Sequence, residues 1–169
     1  YKQRLMGDDK SFFQMEKAKE ELRLGFADKA NKAKKFMTTT EAACKALGRS
    51  PLEQQIEQLE IFETKHGENH ALIEEAAPIA AKLDEMGVIN NPHTTETMAS
   101  LEIQSSVLQK LITGSLATAR ETLELNKQLD EWTQQYEAAA DEIVQWIAEA
   151  KTPWVNCREG KDGHGETTG

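Results

Sequence analysis

"FADKANKAKKFMTTTEAACKALGRSPLE", from Phe26 to Glu53, decides the fold. Phe26, Ala30, Ala33, Met37, Thr40, Cys44 and Leu47 follow one another in alternating steps of four and three, which draws one stripe along an α-helix. Gly48 then ends the pattern, the usual place for a residue that tolerates left-handed torsions. "SPLE" comes next: Ser50 can cap a new helix, Pro51 suits its first position, and Glu53 can reach back to the cap. A long helix that stops and restarts over so few residues must fold back beside itself.

The same pattern extends in both directions. Phe12, Met15, Lys19 and Leu22 carry the stripe backwards, and the step from Leu22 to Phe26 to Ala30 is a stutter of four and four. A first helix is predicted from about Lys10 to Leu47, with a junction near Gly25 and a start or break at Gly7, Asp8 and Asp9. A second is predicted from about Pro51 to Glu85, striped by Leu52, Ile56, Leu59, Phe62, His66, Ile73, Ala77 and Ala80, with a kink or loosened turn at Pro78. "MGVINNPHTT" (Met86–Thr95) interrupts, and Thr94 or Thr95 is expected to cap a third helix. Met98, Leu101, Ser105, Leu108, Ile112, Ser115 and Ala119 stripe that helix. Leu129, Tyr136, Ala140, Ile143 and Ile147 keep its register, with Gly114 the sole breaker before Pro153.

The expected fold class is all-α: a left-handed three-helix coiled-coil bundle whose third helix runs on into a partial second repeat. The expected division is an N-terminal helical overhang over 1–24, a three-helix repeat over 25–122, a second helical overhang over 123–156 and a flexible tail over 157–169.

Composition bounds the chemistry. The 169 residues are 38% hydrophobic and 29% charged, with a net charge of −9, which argues against a general nucleic-acid binder. No apolar run reaches the roughly 20 residues that span a bilayer. Residues 1–35 carry ten Lys/Arg against six Asp/Glu, whereas residues 121–160 carry three against nine. Cys44 and Cys157 lack any zinc-ligand spacing and read as free thiols of a reducing compartment.

His66 and His70 share a helix face with Glu63 and Glu74, but "HGENH" is not the order of a zinc protease, and a stripe or surface pair is the expectation. "GKDGHGETTG" fails the calcium-loop pattern after Asp162, and His93 reads as a loop residue. "KANKAKK" (Lys29–Lys35) reads first as a solvated face and second as an electrostatic half-site for an acidic partner or anionic lipid. No nucleophile, base or phosphate loop stands in a recognisable motif, so no enzyme, no cofactor and no bound metal are expected.

Several stretches resemble a known family. "YEAAADEIVQWIAEA" (Tyr136–Ala150) looks like the opening helix of a spectrin repeat, and "EIVQWIAEAKTPWVNCR" (Glu142–Arg158) resembles the first rod helix of α-actinin. "GFADKANKAKKFM", "PLEQQIEQLEIFE" and "NPHTTETMASLEIQSSVLQKLI" resemble, in order, stretches of the last rod repeat of that family. The resemblance implies a spectrin-repeat rod segment of an actin cross-linking protein, cytoplasmic and cytoskeletal. It implies an antiparallel homodimer that meets F-actin only through flanking domains. Phe12, Met15, Leu22, Trp132, Ile143, Trp146, Ile147 and Trp154 are the expected dimer contacts. The alternative is an adaptor that docks a different protein through its C-terminal helix.

Overall fold

Long stretches of Ala, Glu, Lys, Gln and Leu favour helix over other local structure, and the chain takes that option wherever no breaker intervenes. A computed structural model describes the backbone of residues 2–159 and the side chains of residues 9–153. It contains α1 (Lys2–Leu47), α2 (Leu52–Glu85) and α3 (Met98–Glu159), with no strand among the described residues. The chain divides into two units after Glu121. The first holds α1, α2 and the start of α3; the second holds the rest of α3.

In the first unit the helices run up, down and up. Lys29 pairs with Glu75 at 2.5 Å and Gly25 lies against Ile79, so α1 and α2, joined at the Gly48 turn, are antiparallel. His66 lies against Ser105 and Arg120 against Glu60, so α2 and α3 are antiparallel too. The core joins Phe26, Ala30, Ala33, Met37 and Cys44 of α1 to Leu59, Ile73, Ala76 and Leu83 of α2 and to Leu101, Leu108, Ile112 and Leu116 of α3. These are the three-four stripes read from sequence, with two slips: on α3 Leu116 is buried where the stripe has Ser115, which is half-buried, and on α2 Ala76 takes the place of Ala77. Ala76 is fully buried and Ala77 is exposed, because α2 keeps strict alternation through His66, Asn69, Ile73 and Ala76.

The helix ends depart from the sequence pattern more than the helix bodies do. α1 passes through Gly7–Asp9 and Gly25 without interruption. The capping box at Ser50 and Glu53 does not form. α2 begins at Leu52, which makes Pro51 the N-cap, and proline offers no side-chain acceptor. Ser50 instead donates its N–H to the Leu47 carbonyl and accepts from Gln55 Nε2. α3 is capped by Thr97, not Thr94 or Thr95: Thr97 Oγ1 accepts from the Ser100 N–H, and Ser100 Oγ accepts from the Thr97 N–H. Thr94 Oγ1 serves the preceding turn, accepting from the Glu96 N–H. α2 stays helical through Pro78, and α3 passes Pro153 to Glu159. The tail expected from residue 157 is therefore helical to 159, and residues 160–169 lie outside the described residues.

The left-handed residue expected at Gly48 is found instead at Gly87, with φ 68°. There Val88 N–H bonds the Leu83 carbonyl at 2.9 Å and Gly87 N–H bonds the Asp84 carbonyl at 2.9 Å, the two bonds of a Schellman cap. Its apolar clasp is complete, since Leu83 and Val88 both join the core. A Cβ at Gly87 meets no atom, so only the torsion opposes a side chain. Gly87→Ala is expected to cost about 1–2 kcal/mol, read as a lowered thermal midpoint with the fold retained.

Candidate functional site

Helical periodicity continues past the bundle with nothing to bury. In the second unit, Leu125, Leu129, Trp132, Tyr136, Ile143, Val144, Trp146 and Ile147 are all exposed. Steps of four and three carry Leu125 through Leu129, Trp132 and Tyr136 to Ala139, Ile143 and Trp146, so the large side chains share one face of α3. Trp132 is 65% exposed, Tyr136 77% and Trp146 68%. A patch of this size marks an interaction surface more often than a monomer's ordinary exterior. Its chemistry is apolar contact on an acidic helix, whose other faces carry Glu124, Asp130, Glu137 and Asp141.

A second apolar patch lies near the start of α1, where Phe12 (61% exposed), Phe13 and Met15 face solvent. Six of the eight expected dimer contacts are therefore exposed: Phe12, Met15, Trp132, Ile143, Trp146 and Ile147. Leu22 differs, since it packs partly buried against the bundle core. The Trp154 and Cys157 side chains lie outside the described residues. Phe13 and Val144 had no place in the sequence stripes and are exposed as well.

The basic run on α1 is largely spent within the chain. Lys29 pairs with Glu75, Lys32 with Asp28, and Lys34 with Glu96. Lys17, Lys19 and Arg23 likewise pair with Glu21, Glu16 and Glu20 one turn away. Among the described residues, Lys35 is the member of the run with no carboxylate partner. What α1 offers a partner is a net positive field rather than free ammonium groups.

The connection between α2 and α3 is strapped to α1 by a polar network. Asn91 Nδ2 donates to the Arg23 carbonyl at 2.8 Å, and Asn31 Nδ2 donates to the His93 carbonyl at 3.1 Å. Thr94 Oγ1 donates to Asn31 Oδ1, and His93 Nε2 lies 2.5 Å from Glu20 Oε1. His93 is thus more than a loop residue. Glu20, held by His93 and then Arg23, is pulled below the usual carboxylate range.

Glu96 is the centre of this network. Its side chain is 6% exposed and accepts from Lys34 Nζ, Ser100 Oγ and Gln104 Nε2. The Lys34 ammonium, aided by Ser100 and Gln104, outweighs burial and brings the Glu96 carboxyl down to about 2. A folded-state value below the ordinary 4.5 means that the stabilisation is complete above about pH 4.5 and is lost as pH falls through 2. Lys34 is half exposed, so screening limits the contribution to on the order of 2 kcal/mol. Glu96→Gln is expected to lower stability at pH 7 and to remove that share of the loss between pH 4.5 and 2, read from urea midpoints of both proteins at each pH.

Two polar side chains occupy core positions of α2. His66 Nε2 lies 3.0 Å from the Ser105 carbonyl and 3.1 Å from its hydroxyl; the carbonyl contact requires the proton on Nε2. His70 instead pairs with Glu74 at the surface, and no group of three metal-ligating residues exists among the described residues. Asn69 is 3% exposed, and among the described residues neither its Nδ2 nor its Oδ1 has a partner. Leaving such groups unpaired costs about 1–3 kcal/mol. Asn69→Leu is therefore expected to raise the urea midpoint, by about 1–2 kcal/mol of stability; a loss would mean that water satisfies the amide. Burial raises the Cys44 thiol above its ordinary range, which makes it an unreactive core residue.

The chain matches no family model, no curated protein and no solved structure. No helix among the described residues is long and apolar enough to cross a membrane.

Proposed function

We propose that this chain is a non-catalytic structural segment that self-associates through the apolar face of residues 125–147, as a left-handed, spectrin-repeat-like coiled-coil rod module of the kind its sequence resembles. The observation that carries this reading is the exposure of Trp132, Tyr136, Ile143 and Trp146 on one helical face. Each aromatic ring offers about 150–250 Å² when covered, and an isologous contact counts every ring twice. Three aromatics per chain thus approach the roughly 1,200–2,000 Å² of a stable interface before Leu125, Leu129 and Ile143 are added.

Charge selects the orientation. Residues 1–35 have a surplus of bases, and residues 121–160 have nine acids to three bases. An antiparallel pair sets the Phe12, Phe13 and Met15 patch of one copy beside the acidic helix of the other. Because the lysines are paired locally, this complementarity fixes register more than it adds affinity. The polar groups of the bundle fit a structural role: Glu96 clamps α1 to α3, and His66 bridges α2 to α3. An actin cross-linking parent, with actin bound through other domains, is the setting that the resemblance supplies.

Orientation is tested by inter-chain disulfides in a Cys157→Ser background. Met15→Cys mixed with Trp146→Cys is expected to give a 15–146 cross-link. Efficient 146–146 cross-linking would overturn the antiparallel arrangement. A chain that forms no cross-link but captures a different protein, and loses it on Trp146→Ala, would favour the adaptor reading.

A further inference from the structure

Beneath the connection between α2 and α3 lies a cleft of about 730 Å³, within the range that holds small molecules. It belongs to the first unit and plays no part in the self-association proposed above. Its floor is apolar and part of the core: Phe26, Leu83, Val88 and Met98 all line it and all join the core cluster. Its roof is the strapped segment around Asn91–Thr97, tied to α1 at Arg23, Asn31 and Lys34. The hollow is therefore preformed by hydrogen bonds on one side and by helix packing on the other. At its rim Ile89 is 94% exposed, an isoleucine left in water at the mouth of an apolar hollow.

The charges of the lining are all of one sign. Asp84 and Glu96 are its only ionisable residues. The Glu96 carboxylate is occupied by Lys34, Ser100 and Gln104. The Asp84 carboxylate has no side-chain partner among the described residues. It also stands in the last turn of α2, at the negative end of the helix dipole, where an acid is disfavoured and a cation is stabilised. Asp84 is exposed, and a positive group beside it is favoured by both the carboxylate and the helix dipole. A negative group there meets two carboxylates and the same dipole.

We infer that this cleft is a binding site for a small apolar molecule bearing one cationic amine, with its hydrocarbon body on the Phe26–Leu83–Met98 floor and its ammonium at Asp84. Ile89 closes over the body of the ligand. The lining offers the ammonium further acceptors in the Asn90 side chain and the threonines of the roof. Selectivity arises from charge at the rim, since the floor accepts any apolar body of suitable size.

The test compares three molecules of one skeleton, 4-phenylbutylamine, 4-phenylbutanol and 4-phenylbutyrate, titrated into the full chain and followed by amide chemical shifts. The amine is expected to bind saturably, to shift residues 80–99, and to bind at least tenfold more tightly than the carboxylate. Asp84→Asn is expected to bring the amine to the affinity of the alcohol. Ala99→Trp, at an exposed lining position, is expected to abolish binding of both with the helical circular dichroism unchanged; Ile89→Trp provides a second blocking variant. Absence of saturable amine binding would overturn the inference, as would equal affinity for the carboxylate or undiminished binding in both blocked variants.

Discussion

Replacing Trp132, Tyr136 and Trp146 together by alanine is expected to turn a self-associating chain into a monomer without unfolding its bundle. The three rings are more than 60% exposed within one chain, so their loss removes no core packing, and alanine is the best helix former. In a dimer, each ring covered by the second copy is worth on the order of 2 kcal/mol. Six rings per dimer are lost, against an association cost of roughly 4–15 kcal/mol that does not change. The dissociation constant should rise by several orders of magnitude while the thermal midpoint measured at low concentration holds. Retained association would place the interface elsewhere; unfolding at low concentration would mean that the face serves the fold of a single chain.

Leu101→Ala carries the second large effect, and it falls on the bundle. Leu101 and Ile112 are the largest fully buried side chains, and Leu101 is one turn beyond the Thr97 cap, where α3 meets both other helices. Deleting buried leucine side chains costs about 2.7–5 kcal/mol in a close-packed core. For a unit of this size that lowers the thermal midpoint by about 10–20 °C. The exposed neighbour Ile103 is the control: Ile103→Ala should stay within about 0.5 kcal/mol. Equal effects at the two positions would mean that α3 is not seated with Leu101 inward.

The bodies of the helices were legible because burial writes its period directly into the chain. Phe26 to Leu47 and Met98 to Ala119 alternate by three and four, and Gly48–Pro51 and Gly87–Pro92 punctuate them. The ends were less legible, since several residues near each break can cap and only the backbone decides which does. Thr97 and Ser100 cap each other, whereas the equally plausible Ser50 lies one residue too early once Pro51 becomes the cap. The clamp at Glu96 was invisible: its lysine is 62 residues away, and periodicity does not say which carboxylate of a loop meets which lysine of a helix. Asn69 holds the heptad position between His66 and Ile73, but asparagine is mostly a surface residue, so the pattern does not mark it as buried. The apolar face of residues 125–147 was readable from its stripe, because a stripe records what must be covered. In the proposed dimer, what covers it is a second surface, and that information is spread between Phe12, Phe13, Met15 and the charges around them.

Self-association through that face is tested most directly by light scattering of the full chain from low to high micromolar concentration. The predicted result is a mass of twice 18.9 kDa at the upper end, falling towards 18.9 kDa on dilution. A mass of 18.9 kDa at every concentration would contradict it.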